Sequence, residues 1–477
     1  MLHRLFKLAP LGIPVALLLL LSFQYPFSVS VPIGGDAPYH IVIAKKLFGF
    51  AGTPYPLSSF LFGFSRILPT SWLFRFTFFM AFGYAISGFL LAILLHKISG
   101  RLPAILGIIF WSISTWDILP FYRDGTMAQL WSIPFLILLF YAILNNQRIL
   151  FGITLICIYF AHPATFAPIA LILVLLIPFY LLRKINVGKY PTIFAILIIS
   201  ALTIFVFNKF PTHFPYASTL EFTHYLSLKD FLETRIGIMI VCAPLGFIVF
   251  SSSSIGTRFG KIFLMTFSVM VFFSTFNSML GIGAWERRFV PYFVVILIFF
   301  GSLGLTHLLR NTVPHKSIQY VIILFLVATL GSHAWFSSQG YYRIFNGDRS
   351  SLHESEKTAY EWIDQNLPKN SVIVQKIARG RGIEWLPVFA NRETLIPEYQ
   401  LNGVNVFSSC NTTLQDIAKI NSENSYVLFH TWTEKVPGYY QNNSELFPLT
   451  YENNEVKIYR LPAPVAINQN LINQCQE

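Results

Sequence analysis

The sequence predicts an all-α integral membrane protein of about eleven transmembrane helices, with a small C-terminal α/β domain outside the bilayer. Three observations carry that prediction. The 34 Lys and Arg and 22 Asp and Glu make up only 12% of 477 residues, beside 54% hydrophobic and 17% aromatic residues. That is about half the charge density of a soluble globular chain, so a cytosolic enzyme, a disordered chain and a disulfide scaffold are all disfavoured. Apolar runs of bilayer length follow one another to residue 336. The charge balance then changes sign, from +15 over residues 1–336 to −3 over residues 337–477, which separates a membrane domain from a polar tail.

A helix needs about 20 apolar residues to cross the hydrocarbon. Runs that qualify lie near 9–31, 71–95, 102–117, 129–145, 148–163, 164–183, 191–208, 236–251, 261–279, 290–310 and 318–336. The first lacks a small-residue cleavage site and reads as a retained helix, not a signal peptide. With a cytoplasmic N-terminus, the short inner connections hold twelve cations, from Arg4 and Lys7 to Arg310 and Lys316, and no acid. This agrees with the positive-inside rule. All seven acids of the membrane part, Asp36, Asp117, Asp124, Glu221, Asp230, Glu233 and Glu286, then fall at the outer face, and an odd number of spans puts the tail there too. The segregation points to chemistry at that face, or reflects inner loops too short to hold acids. The net charge of +12 forms no contiguous patch, so no nucleic-acid partner is expected.

The first outer loop, 32–70, contains a mostly apolar segment from Tyr39 to Phe50 with Lys45 and Lys46, as expected of an interfacial helix with snorkelling ammonium groups. In the tail, Ser351 to Glu354 has a capping-box pattern ahead of a helix to about Leu367, stopped by Pro368. Short strands are predicted at 372–375, 426–430 and 456–460. Cys157 and Cys242 lie in apolar runs as small core residues, whereas Cys410 and Cys475 can pair if the tail meets an oxidising compartment.

Asp36 follows Gly34 and Gly35 and precedes Ala37 and Pro38, directly after the first span. The glycines let a ligand approach the backbone, and the proline keeps Ala37 extended, so the carboxylate is held near the depth of lipid phosphates. That suits a general base for an acceptor hydroxyl. Asp117 and Asp124 bracket the next outer loop; Asp124 beside Gly125 reads either as a turn residue or as a second carboxylate facing Asp36, with Arg123 against an anionic donor. Asp36 and Asp124 are also candidate oxygen ligands for Mg²⁺ or Mn²⁺, without a secure third. His162, before Pro163, and the pair Arg287 and Arg288 stand at span mouths, where guanidiniums engage phosphate through paired hydrogen bonds or simply anchor at the interface. No phosphate loop, dinucleotide fingerprint, zinc-protease motif or nucleophile elbow occurs. Few charges lie mid-span, which weighs against a proton-coupled transporter.

This arrangement resembles the GT-C superfamily of polytopic glycosyltransferases, which includes protein O-mannosyltransferases, oligosaccharyltransferase catalytic subunits and lipid A aminoarabinose transferases. Asp36 matches that group's first-loop catalytic acid, and Asp124 its second-loop acid. Tyr360 to Pro368 and the stretch at Trp385 to Pro387 are similar to tail domains of bacterial and archaeal members, which implies a prokaryotic cell membrane. The first loop lacks the adjacent acidic pair of protein mannosyltransferases and the tail lacks the Trp-Trp-Asp-Tyr-Gly signature, so no subfamily is assigned. The resemblance implies a polyprenyl-phosphate sugar donor, a glycan, lipid or protein acceptor, and His162, Arg123, Arg287 and Arg288 as donor-phosphate groups. Two other readings stand beside it: a flippase or transporter of lipid-linked glycans, and a noncatalytic assembly protein.

Overall fold

A computed structural model describes residues 2–32, 37–45, 55–114, 126–181, 234, 236–254, 256–276, 286–346, 352–375, 385–390, 392–395, 406–407, 409–417, 419–420, 422–431 and 435–464. The chain divides into two compact units, one of residues 1–32 and 46–346, the other of residues 33–45 and 347–477.

The first unit is helical. Its apolar helices are α1 (Leu2–Ser28), α4 (Trp72–Ser99), α5 (Arg101–Ile113), α6 (Met127–Leu144), α7 (Arg148–Ala161), α8 (Pro163–Leu181), α9 (Gly237–Ser252), α10 (Arg258–Thr275), α11 (Glu286–Thr312) and α12 (Lys316–Asn346), with a short α3 (Pro56–Gly63) between α1 and α4. These ten coincide with ten of the eleven expected runs; the run at 191–208 lies outside the described residues. Among the described residues, five of them, α4, α6, α10, α11 and α12, are long and apolar enough to cross a membrane. The chain is a multi-pass membrane protein. Helix α5 has 13 residues, a rise of about 20 Å against a hydrocarbon thickness of about 30 Å. Helix α7 is cut to 14 residues because Pro163 forces His162 into extended geometry and restarts the helix.

Contacts sort the helix ends into two sets. At one end, Phe27 of α1 meets Phe74 of α4 at 5.7 Å between ring centroids, Phe79 of α4 stacks on Trp131 of α6 at 4.4 Å, and Ser132 of α6 reaches Thr165 of α8 at 3.2 Å. At the other, Arg310 donates to the Ser99 carbonyl at 3.1 Å and Thr257 to the Ile143 carbonyl at 3.0 Å. Helices α1 and α12 run parallel, with Leu17 beside Gly331 and Tyr25 beside Tyr342, so the chain leaves both at the same end. Helices α9 and α11 touch backbone to backbone: a Cβ on Gly246 would fall 1.8 Å from the Phe300 carbonyl oxygen, and one on Gly304 2.0 Å from that of Cys242. Small residues that admit such approach hold helices together where no hydrophobic force acts between them.

The second unit carries a five-stranded mixed sheet in the order β2-β1-β3-β5-β4. Its strands are β1 (Val372–Gln375), β2 (Glu393–Leu395), β3 (Ser425–His430), β4 (Leu449–Glu452) and β5 (Val456–Arg460). β1 runs parallel to β2 and β3, while β5 is antiparallel to β3 and β4. One face, with Val372, Val374, Val427, Phe429 and Tyr459, packs on Leu414 and Ile417 of α15 (Cys410–Ile417). The other face meets α13 (Glu354–Asn366), where Glu356 and His430 pair at 2.9 Å with both side chains buried. Helix α13 begins two residues later than the Ser351 pattern suggests. His353 is its cap, because Glu356 stands three residues on and its carboxylate accepts the His353 N–H at 2.8 Å. At the far end, Arg392 closes α13 by donating to the carbonyls of Asp364 and Leu367. Cys410 is in a disulfide while Cys157 and Cys242 are free thiols; Cys475 lies outside the described residues.

Of the helix expected over Tyr39 to Phe50, residues 39–45 are helical, and residues 46–50, with Lys46, lie outside the described residues. Helix α2 (Ala37–Lys45) belongs to the second unit, burying Ala37, His40, Ile41 and Ala44 and packing on α14 (Leu386–Phe389). Lys45 donates to the Val388 carbonyl. Burial lowers its pKa, partly offset by Asp364.

Two outcomes follow from this packing. Gly304→Ala should destabilise the purified protein by about 1–3 kcal/mol, the usual cost of overpacking, seen as a lower melting temperature in detergent. Gly152→Ala, at a position with nothing within 4 Å, should not. His40 is the second case, because burial pushes its pKa down to about 3. Between about pH 6.5 and 3 the unfolded chain therefore holds one more proton than the folded one, and stability falls as pH falls. Thermal unfolding at pH 4.5 should lose more relative to pH 7 in the wild type than in His40→Leu.

Candidate functional site

The site is built at the break between α7 and α8. His162 has φ −158° and ψ 94°, the extended geometry that a following proline imposes. Its carbonyl accepts the N–H groups of Thr165 and Phe166 at 2.9 and 3.3 Å, so His162 caps α8 and its ring is held at a helix N-terminus. The ring is 5% exposed and stacks on Tyr55 at 5.5 Å between centroids. From below, Ser58 of α3 donates to the Ala161 carbonyl at 3.1 Å, tying the first loop to this break.

Three hydroxyls converge beside the imidazole. The Thr165 Oγ1 lies 2.6 Å from His162 Nδ1 and 3.2 Å from the Ser132 hydroxyl, and bonds the Tyr292 hydroxyl of α11. Ser132 gives its own proton to the Gln129 carbonyl at 2.6 Å. Thr165 must then donate to Ser132, and both Tyr292 O–H and His162 Nδ1–H donate to Thr165. In that neutral tautomer Nε2 is the acceptor of the ring. A phosphate oxygen would meet a donor there only with the imidazole protonated.

Tyr292 ties this cluster to the second candidate feature. Helix α11 begins at Glu286, so Arg287 and Arg288 occupy its first turn, and position 288 is one turn before Tyr292 on the same face. Pro291 has no N–H to give to the carbonyl of residue 287, which leaves one more acceptor at that mouth. The structure thus brings His162 and the start of α11 together, through Thr165 and Tyr292. Sequence reasoning missed both residues. The available signals were the three-residue spacing from a helix cap to Thr165 and the four-residue spacing from Arg288 to Tyr292.

Asp36, Asp117, Arg123 and Asp124 lie outside the described residues, as do the side chains of Arg287 and Arg288. Among the described residues, no three His, Cys, Asp or Glu side chains converge as metal ligands.

No protein-family model matches the chain, and no curated protein matches it. Solved structures do. An oligosaccharyltransferase from Archaeoglobus fulgidus, tethered to an acceptor peptide, superposes with TM-score 0.59 at 12% identity over 97% of this chain and 74% of that one. ArnT from Cupriavidus metallidurans bound to undecaprenyl phosphate gives 0.58 at 11% identity over 95% of this chain and 98% of that one. The chain shares its fold with these two structures. A third structure, the archaeal oligosaccharyltransferase AglB from Archaeoglobus fulgidus with an inhibitory peptide and a dolichol-phosphate, gives 0.54 at 13% identity over 98% of this chain and 75% of that one.

Removing one hydroxyl from the buried network should leave its partners unsatisfied at about 1–3 kcal/mol each. Tyr292→Phe and Thr165→Val should each lower the melting temperature, and the double variant should lose less than the sum, since both remove the same bond. Full additivity would mean that the two hydroxyls do not interact.

Proposed function

We propose that the chain is an integral membrane glycosyltransferase that moves a sugar from a polyprenyl-phosphate-linked donor to an acceptor hydroxyl, inverting the anomeric centre. The observation that carries this reading is the length of the match to ArnT, a protein seen with undecaprenyl phosphate, over 95% of this chain and 98% of that one. Fold alone does not assign chemistry, so the chain's own residues must supply it. The gathering of His162, Thr165, Tyr292 and the α11 start at one end of the bundle supports a polar site where lipid headgroups lie. The Cys410 disulfide supports placing the second unit in an oxidising, extracytoplasmic compartment.

In this reading Asp36 takes the proton of the acceptor hydroxyl as the oxygen attacks the anomeric carbon. The bond from that carbon to the phosphate oxygen breaks, and the polyprenyl phosphate leaves with its charge held by Arg287, Arg288 and Arg123. Asp124 orients the acceptor, or shares a Mg²⁺ or Mn²⁺ ion with Asp36. His162 contributes to phosphate binding when its ring is protonated.

Transfer from a radiolabelled polyprenyl-phosphate sugar tests the assignment. Asp36→Asn should lower the rate by about 10²–10⁴-fold with donor binding kept, the range for loss of a general base. Arg288→Ala should instead weaken donor binding by about 10–100-fold, the worth of a charge-assisted hydrogen bond. Unchanged transfer in Asp36→Asn would remove that residue from the mechanism. Translocation of the lipid-linked sugar across vesicles without a new glycosidic bond would replace the enzyme by a carrier.

A further inference from the structure

Helices α1 and α12 close together along one seam and part beside it. On the seam, Leu17 packs on Gly331, the Ser338 hydroxyl donates to Gln24 Oε1 at 2.6 Å, and the Tyr25 and Tyr342 rings lie 5.7 Å apart. Next to it runs a groove of about 870 Å³, walled by Leu20, Phe23 and Phe27 of α1 and by Trp335, Gln339 and Arg343 of α12. The spacings of three and four residues put each set on one helical stripe. Leu20 is 59% exposed and Phe27 75% exposed, so an apolar wall stands open. Among the described residues no acid lines the groove.

Depth along α12 grades this wall. Trp335 lies nineteen residues beyond Lys316, about 28 Å at 1.5 Å per residue, close to the hydrocarbon thickness of about 30 Å. Tryptophan favours that boundary. Gln339 and Arg343 come about 35 and 40 Å along, within the headgroup layer. Arg343 has no acid partner among the described residues. A second copy of the chain could not supply one from these helices, because neither α1 nor α12 contains Asp or Glu. A free phosphate ion would leave the aromatic wall uncovered.

We propose that this groove binds an anionic glycerophospholipid of the surrounding membrane, one acyl chain along Leu20, Phe23 and Phe27 and the phosphodiester on Arg343 and Gln339. The bound lipid fills the open side of the α1–α12 seam and so fastens the first membrane helix to the last. The inference does not depend on the proposed transfer reaction.

The full-length protein in detergent, titrated with dioleoylphosphatidylglycerol or dioleoylphosphatidylcholine, tests it. The melting temperature should rise with the anionic lipid alone. Arg343→Gln should lose more than half of that rise, and Lys316→Gln, at the opposite end of the same helix, should keep it. Dibrominated phosphatidylglycerol should also quench tryptophan fluorescence in the wild type and quench less in Trp335→Phe. Equal stabilisation by phosphatidylcholine, or a full rise in Arg343→Gln, would overturn the proposal. A larger Arg343-dependent rise with undecaprenyl phosphate would assign the groove to an isoprenoid carrier instead.

Discussion

Hydrocarbon supplies no hydrogen bonds, so each unpaired polar group placed in it costs several kcal/mol. The first unit answers that constraint locally. Ser87, Ser268 and Thr306 each return their hydroxyl proton to the carbonyl four residues back, which satisfies the donor within its own helix. Cohesion is left to close approach, as between Gly246 of α9 and Gly304 of α11, and to aromatic packing such as Phe79 on Trp131. Polar groups also meet across helices, in the helix interior where Trp111 Nε1 donates to the Tyr84 carbonyl at 3.0 Å, and at the helix ends. His162, Thr165, Ser132 and Tyr292 form such a meeting, drawn from three helices and joined into one network.

The same constraint decides what can be read from the chain alone. Apolar runs announce spans because length and composition are set by bilayer thickness, and ten of eleven expected runs coincide with helices. Their ends are less legible. Pro163 shortens α7 and starts α8, and α12 continues ten residues past the last apolar run, to Asn346. In the tail, β1 and β5 match the expected strands residue for residue and β3 begins one residue early. β2 and β4 were missed, being short and, in β4, mostly exposed, so they lack the β-branched run that marks a buried strand.

Long-range partners were the harder part. Nothing local in Ala37 to Lys45 says that it packs with a segment more than 300 residues away, because an apolar nine-residue helix satisfies a lipid surface and a protein surface alike. Within the site, His162 and the Arg287–Arg288 pair stood out by residue type and position. Thr165 and Tyr292 did not, since each is an ordinary residue of an apolar helix until the fold brings together hydroxyls 127 positions apart. The histidine's tautomer is likewise a property of that meeting and not of the sequence around it.

A polar cluster at the mouth of α8 and α11 is of use to a lipid-linked donor only if the donor's phosphate arrives there. A density map of the full-length protein with a bound polyprenyl phosphate tests that directly. The account requires the phosphate oxygens within about 3 Å of a guanidinium of Arg287 or Arg288. Density for the phosphate at the opposite helix ends, near Ser99 and Arg310, would contradict it.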